Sequence, residues 1–252
     1  MGHWYTKQGQ PAHFQPDGKG TTLRHARAQG LVPSVTTVLD VVDKPGLTNY
    51  LINQHLKAAW ESQADPSYGV TYDEWCKDIR QTASRHANDA RDRGLEIHNA
   101  LEQYYKGEVV DIAMNPFVDA VRETLSHVYD IERGNCTPER SFATELYGGC
   151  VDLVADGQIN PWDKPIILDF KYKTDGWGTK KDGLPKKIWF DAHVAQLAAY
   201  AHGLGLETAV VANVFIGPKA EVYIHEWTPS EIEYGYQYFV DCLRLWRRKN
   251  KL

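Results

Sequence analysis

The spacing of apolar residues divides the chain into a helical first half and a second half that mixes strands with helices. Residues 1–33 are rich in Gly, Pro, Gln and His, and this composition predicts an irregular arm with room for a short hairpin. From residue 34 to residue 133 the apolar positions recur at helical spacing, which predicts a helical region. The elements predicted within it are helices at Ser34–Val42, Leu47–Glu61, Tyr72–Tyr105 and Asn115–Ile131, with a turn at Asp65–Ser67.

Residues 134–252 carry the short β-branched and aromatic runs that are typical of strands. The strands predicted there are Arg140–Leu146, Cys150–Ala155, Ile166–Lys173, Ala209–Ile216 and Val222–Glu226. The other elements predicted there are helices at Ile188–Gly203 and Ser230–Arg248, and turns at Gly148–Gly149 and Gly157–Lys164. This order of elements predicts an α/β or α+β fold with a helical N-terminal region, folded as one compact unit.

The overall composition is that of an ordinary globular protein. The 252 residues are 42% apolar and 24% charged, which excludes intrinsic disorder. The best apolar stretch, Val210–Ile216, is short and contains Asn213, whereas a membrane-spanning helix needs about 20 apolar residues. Residues 1–10 are polar and lack the apolar segment of a secretory signal. We therefore expect a cytoplasmic protein with no membrane partner.

The charge balance narrows the classes of partner. The formal net charge is −5, which disfavours a protein that coats nucleic acid nonspecifically. This net charge is compatible with an enzyme that binds a few phosphates and also uses metal ions to do so. Residues 171–187 hold six lysines against two aspartates, and residues 244–251 hold five cations. Each of these clusters is either a solvated surface or a phosphate-binding patch.

The chain has four cysteines, Cys76, Cys136, Cys150 and Cys242, and none lies in a C-x-x-C spacing. This pattern disfavours a zinc ribbon. Scattered cysteines are typical of buried apolar residues, with a four-cysteine iron–sulfur cluster as the alternative.

One predicted strand places charged residues in an apolar setting. Alternation along Ile166–Lys173 puts Asp169 and Lys171 on one face with Ile167, while the other face is apolar or aromatic. Apolar residues on both faces indicate a buried central strand. Burying the two charges there costs roughly several kcal/mol each unless they pair or meet a metal ion. A buried Asp–Lys salt bridge is therefore one interpretation and a metal site is the other.

A second acidic residue, Asp152, follows the Gly148–Gly149 turn in the preceding apolar strand. Two adjacent antiparallel strands would bring Asp152 and Asp169 together at one end. Two such carboxylates repel each other unless a cation or a shared proton lies between them. Carboxylates favour Mg²⁺ or Mn²⁺. A glycosidase-type pair of carboxylates is the alternative, but it leaves Lys171 unexplained.

Two helices add polar candidates. His98 lies at the edge of an apolar stripe, where a single histidine is typically a partly buried residue with an ordinary hydrogen bond. His193, Gln196 and Tyr200 form a polar row at helical spacing, which taken alone is typical of a solvated surface.

Taken in order, these residues form a recognisable set. The set comprises G-x-x-x-H at Gly94–His98, a strand glutamate at Glu139, G-G-x-x-D at Gly148–Asp152, D-x-K at Asp169–Lys171 and Q-x-x-x-Y at Gln196–Tyr200. It resembles the PD-(D/E)XK nuclease superfamily in its RecB-like exonuclease branch. That branch includes the Cas4 nucleases, bacteriophage members and the mitochondrial genome maintenance exonuclease. The resemblance covers about residues 91–203.

The resemblance implies a restriction-endonuclease-like core, with a mixed central sheet flanked by helices. It implies a Mg²⁺- or Mn²⁺-dependent DNA exonuclease that acts on ends or single strands in recombination, repair or degradation. The alternatives are a structure-specific endonuclease of the same fold and an inactive nucleic-acid-binding protein. DNA, with a recombination or replication partner protein, would then be the partner, in a bacterial or phage-infected host cytoplasm.

The resemblance also implies residue roles. Asp152, Asp169, His98 and the Phe170 carbonyl would hold the metal, and Lys171 would position or activate the attacking water. Glu139 would assist, with Glu145 as the competing candidate. Gln196 would brace the strand or the water, and Tyr200 would face the nucleic-acid backbone. Because Cys136 and Cys150 lie inside the core motifs and no closing cysteine triplet exists, no iron–sulfur cluster is expected.

The lysine-rich segment would add nucleic-acid contacts. We expect the strand to be held by charge and by stacking on Trp177 and Trp189. The lysines proposed for this are Lys173, Lys180, Lys181, Lys186 and Lys187.

Overall fold

The computed structural model of the protein describes residues 2–62, 69–155, 164–181, 183 and 185–252. The turn predicted at Asp65–Ser67 and most of the turn predicted at Gly157–Lys164 lie outside these residues. The chain divides into two compact units, residues 1–42 with 97–252 and residues 43–96. This division differs from the predicted regions 1–33, 34–133 and 134–252, and it assigns His98 to the larger unit.

The described residues form seven α-helices and seven strands. The helices are Leu23–Gln29 (α1), Val35–Leu39 (α2), Pro45–Glu61 (α3), Tyr72–Lys106 (α4), Asn115–Tyr129 (α5), Asp191–Leu204 (α6) and Pro229–Lys249 (α7). The strands are Trp4–Tyr5 (β1), Val32–Pro33 (β2), Cys136–Ala143 (β3), Gly148–Ala155 (β4), Ile166–Tyr172 (β5), Val210–Ile216 (β6) and Val222–Glu226 (β7). A short 3₁₀ helix, Ile112–Met114, precedes α5.

The main sheet has five strands in the order β3-β4-β5-β6-β7. Strands β5 and β6 are parallel, and the other neighbouring pairs are antiparallel. Strands β1 and β2 form a separate antiparallel pair. The protein is therefore an α+β fold with a mixed central sheet and N-terminal helices, as the sequence predicted.

Each face of the main sheet is covered by its own apolar core. On one face the buried side chains come from α2, α6, α7 and the sheet, and include Val35, Leu197, Phe239, Ile167 and Val211. On the other face they come from the end of α4, from α5 and from the sheet, and include Leu101, Val121, Leu125, Leu168 and Val214. Strand β5 is thus buried on both sides, which confirms its assignment as a central strand.

Local hydrogen bonds explain where several elements begin and end. The Ser34 hydroxyl accepts a hydrogen bond from the Thr37 amide at 3.0 Å and caps α2. Thr228 and Glu231 form a reciprocal capping box at the start of α7. Gly107 follows α4 with a φ of 79°, a left-handed conformation that favours glycine and ends the helix.

Three predictions about local structure were wrong. Gly148 and Gly149 are not a turn but the first two residues of β4, paired with Ala143 and Phe142 of β3. Strand β3 ends at Ala143 rather than Leu146, because the Thr144 amide donates to the Tyr147 carbonyl and turns the chain. The arm at residues 1–33 is not wholly irregular, because it contains α1 and both strands of the small sheet. Trp4 anchors this arm: its indole donates to the Thr21 carbonyl at 3.0 Å and its side chain is buried.

No helix among the residues that the structure describes is both long and apolar enough to cross a membrane.

The two-sided burial of β5 makes a testable prediction about stability. Ile166 is 0% exposed, whereas Ile112 is 81% exposed. We expect Ile166→Ala to lower the free energy of unfolding by about 2–5 kcal/mol, because it removes buried methylenes and leaves a cavity. Ile112→Ala is the matched control and should change it by less than about 0.5 kcal/mol. Urea denaturation measures both, and equal effects would contradict the assigned burial.

Candidate active site

The site forms where two neighbouring strands separate. Strands β4 and β5 pair from Ala155 opposite Ile166 to Leu153 opposite Leu168, and the pairing stops there. Asp152 and Asp169 are the next residues on the two strands. The Phe170 amide donates to the Asp152 Oδ2 atom at 2.6 Å, so a side chain takes the place of a backbone partner.

Asp169 is buried at 1% exposure, and three side chains donate to it. The Lys171 ammonium lies 2.7 Å and the Gln196 amide 2.9 Å from its Oδ1 atom. The Asn213 amide donates to its Oδ2 atom at 2.8 Å. Because a buried carboxylate without partners would be strongly destabilising, these donors are what allow Asp169 to lie in the central strand. The predicted Asp169–Lys171 pair is present.

Sequence reasoning missed the role of Asn213 and Trp227. Asn213 is 0% exposed, and its side-chain oxygen accepts a hydrogen bond from the Trp227 indole at 2.8 Å. An indole N–H only donates, so this bond fixes the amide with its NH₂ group towards Asp169. The sequence signal that could have indicated this role is the amide side chain of Asn213 within the otherwise apolar run of β6.

His98 lies beside Asp152, with 3.6 Å between its Nδ1 atom and the Asp152 Oδ2 atom. Burial holds the pKa of Asp152 well above its ordinary value, and the negative charge of Asp169 raises it further. Burial and the nearby Lys171 ammonium lower the pKa of His98. The imidazole is therefore neutral at physiological pH, the form that coordinates metal ions.

Gln196 links Asp169 to Tyr200, because its amide nitrogen also lies 3.0 Å from the Tyr200 hydroxyl. Tyr200 is only 5% exposed and packs edge-on against Phe142. A Cβ atom at Gly149 would lie 2.7 Å from the Tyr200 ring, so this glycine permits the close approach. Tyr200 thus lies in the interior, and not on a surface facing a nucleic-acid backbone as the resemblance implied.

The structure separates the two candidate glutamates. Glu139 lies opposite Asp152 at a break in the β3–β4 pairing, with a left-handed φ of 50°. Its carboxylate accepts a hydrogen bond from the Cys150 thiol at 3.0 Å, and burial raises its pKa. Glu145 is exposed and pairs with Lys7 at 2.8 Å. Glu139 therefore borders the site, and Glu145 lies on the surface.

A second histidine, His193, lies in the first turn of α6. Its Nδ1 atom accepts a hydrogen bond from the Phe190 amide at 3.3 Å, and its ring lies 5.8 Å from that of Phe215. Burial, reinforced by the Lys171 charge, lowers the pKa of His193 to about 3. The ring is therefore neutral across the physiological range. The polar row expected to be a surface is largely an interior lining of the site.

The five predicted lysines differ in their burial. Lys173 is half-buried, with its ammonium 5.3 Å from the centre of the Phe190 ring and 5.2 Å from that of Phe215. Burial, followed by the charge of Lys171, lowers the pKa of Lys173. The exposed lysines are Lys180, Lys181, Lys186 and Lys187.

The donor chemistry fits a hard divalent cation. The described residues contain no group of three or more His, Cys, Asp or Glu side chains arranged to hold a metal ion. Asp152 and Asp169 nevertheless supply carboxylate oxygens, the donors that Mg²⁺ and Mn²⁺ prefer, and the His98 imidazole lies beside Asp152. Burial raises the pKa of Asp152 most, and the neighbouring Asp169 charge raises it further; a bound cation would offset both effects. In this structure the Lys171 ammonium supplies the positive charge next to Asp169.

Comparisons with family models and with curated proteins find no match for the chain. Among solved structures, the chain is similar to one titled "Crystal structure of SSO0001" at 14% identity and a TM-score of 0.27. The similarity covers 77% of this chain and 85% of that chain. A TM-score this low supports no inference about activity.

The buried His193 makes a prediction about pH. The unfolded chain takes up a proton near pH 6.5, whereas the folded protein does so only near pH 3. Stability should therefore fall as pH drops through this window, and His193→Gln should reduce the fall by up to about 1.4 kcal/mol per pH unit. Urea denaturation between pH 7.5 and pH 4.5 measures the difference.

The exposed His127 provides the control. His127→Gln should leave the pH dependence of stability as it is in the wild type. If His193→Gln behaves in the same way, His193 is not held neutral by burial.

Proposed function

We propose that the protein is a metal-dependent DNA exonuclease that hydrolyses phosphodiester bonds at ends or on single strands. The observation that supports this most directly is the buried Asp169 carboxylate, with Lys171 and Gln196 bonded to it and Asp152 on the adjacent strand. The same residues carry the sequence resemblance to the RecB-like nucleases. Recombination, repair or DNA degradation, with a recombination or replication partner protein, is the corresponding setting.

The proposed chemistry assigns a task to each side chain. Mg²⁺ or Mn²⁺ would be held by Asp152, Asp169, His98 and the Phe170 carbonyl. When bound, the ion neutralises charge on the phosphate and lowers the pKa of a bound water. Lys171 orients the attacking water and stabilises the negative charge that develops on the phosphate. Asn213 and Gln196 hold Asp169 in place, because each donates to one of its oxygens. Glu139 adds a carboxylate beside Asp152.

An active enzyme accounts for the buried charges better than an inactive binding protein. Apolar residues of similar volume in the place of a buried ion pair are often neutral or stabilising. A protein that only binds DNA gains nothing from keeping Asp169 and Lys171 in a central strand. A glycosidase-type pair again leaves Lys171 without a task. The net charge of −5 is compatible with a nuclease, because bound cations reverse the local potential.

The test is a nuclease assay with end-labelled linear DNA and covalently closed circular DNA, each single- and double-stranded. We expect cleavage of linear DNA in Mg²⁺ or Mn²⁺ and none in EDTA. Lys171→Ala should lower kcat at least roughly a hundredfold, because Lys171 acts in the chemical step, and should leave DNA affinity nearly unchanged. Thermal melting confirms that the variant is folded.

Lys219 is exposed in the β6–β7 turn, and Lys219→Ala provides the matched control that should cleave like the wild type. Wild-type turnover in Lys171→Ala would show that Lys171 makes only a structural ion pair. Cleavage of circular DNA would identify an endonuclease instead. Binding without cleavage under every condition would favour the inactive nucleic-acid-binding alternative.

A further inference from the structure

The face of the sheet that carries Asp169 continues to the edge strand β7. Asp169 is paired with Asn213 on β6, and Asn213 is paired with His225 on β7. In the next row Lys171 is paired with Phe215, and Phe215 with Tyr223. Paired residues share a face of the sheet, so His225 lies two strand spacings, roughly 10 Å, from Asp169.

Aromatic rings cover this end of the face. The Trp189 ring stacks on His225 with 3.7 Å between centroids and 15° between planes. It also lies nearly parallel to Tyr223, at 6.2 Å and 19°. The Trp177 ring is 6.4 Å from that of Tyr223. We call these four side chains the aromatic row, and all four residues are half-buried.

The composition of the aromatic row is unusual for a purely structural cover. The Nε2 atom of His225 is buried and has no hydrogen-bond partner among the described residues. Leaving such an atom unsatisfied is unfavourable, and an apolar side chain would shield the edge strand without that penalty. Phe190 is 48% exposed. The Lys173 ammonium lies 5.3 Å from the centre of its ring and 5.2 Å from the centre of the Phe215 ring. Aromatic side chains therefore extend from the edge strand to the row of the sheet that contains Lys171.

The segment that carries Trp177 and Trp189 is also the basic one. Its exposed ammonium groups form no ion pair with a carboxylate among the described residues, and they belong to Lys180, Lys181, Lys186 and Lys187. Lys187 is near enough to His225 for its charge to act on that ring. Flat rings beside exposed cations match the chemistry of single-stranded nucleic acid, which offers free base faces and phosphates together.

We propose that the aromatic row stacks the bases of single-stranded DNA on its way to Asp169 and Lys171, while the four exposed lysines hold its phosphates. This inference rests on the proposed function, which makes Asp169 and Lys171 the place where the strand is cleaved. A duplex does not fit in the same way, because its bases are already stacked and paired. The aromatic row would therefore make the site selective for single strands.

The experiment measures binding in EDTA, where no cleavage is expected, of a 20-nucleotide single strand and of an abasic strand with the same phosphates. The wild type should bind the base-bearing strand at least roughly tenfold more tightly. Trp189→Leu, which keeps an apolar side chain, should lose most of that preference and leave abasic binding unchanged. Trp189→Tyr should retain it, because a flat ring remains.

Replacing the four lysines with Gln should weaken the binding of both strands. It should also reduce the slope of log affinity against log salt concentration by about 1–3. Trp60→Leu is the control, because Trp60 is 91% exposed and lies in the smaller unit. It should bind both strands like the wild type. Melting curves confirm that all variants are folded.

The outcomes separate this inference from the proposed function. If the wild type cleaves DNA but Trp189→Leu keeps the full preference for bases, the aromatic row is structural and only the inference fails. If Trp189→Leu lowers the affinity for the base-bearing strand and the abasic strand equally, the inference is also wrong. If Trp189→Leu loses the preference but no DNA is cleaved with any metal, the stacking surface stands and the proposed activity fails.

Discussion

A negative charge in the middle of a sheet is the constraint on which the rest of this structure depends. Asp169 is almost fully buried, and an unpaired carboxylate there would be strongly destabilising. Donors therefore converge on it from its own strand, from α6 and from β6, through Lys171, Gln196 and Asn213. Trp227 orients the last of these by bonding the amide oxygen. The positions of α6 and β6 are thus tied to one carboxylate.

The polar site is compatible with a stable fold because the sheet has an apolar core on each face. The ladder between β4 and β5 ends at Leu153 and Leu168, and beyond that point the strands separate. Beyond that point the Phe170 amide donates to the Asp152 side chain, which places a polar group in an otherwise apolar layer. The same separation explains why His98, carried by a helix on one face, and Gln196, carried by a helix on the other, reach the same pair of strands.

Much of this could be predicted from the sequence. Helical spacing, capping residues and glycines gave most helix boundaries to within a few residues, because those signals act between near neighbours in the chain. The apolar run around Asp169 and Lys171 predicted a buried strand with a charged pair, since alternation fixes which residues share a face. The C-terminal boundary predicted for β3 was wrong by three residues, because a turn held by Thr144 and Tyr147 is not visible in apolar spacing.

What the sequence determined, then, was the set of elements and the burial of an Asp–Lys pair, because both follow from the periodicity of local geometry. Only the tertiary structure decided which residues complete the site. Asn213, Trp227 and His193 come from segments far from Asp169 in sequence, and only strand order brings them together. Tyr200 was expected at a surface, yet the glycine at 149 lets its ring pack inside. Such packing depends on distances between elements, which the pattern of apolar and polar positions along one chain does not contain.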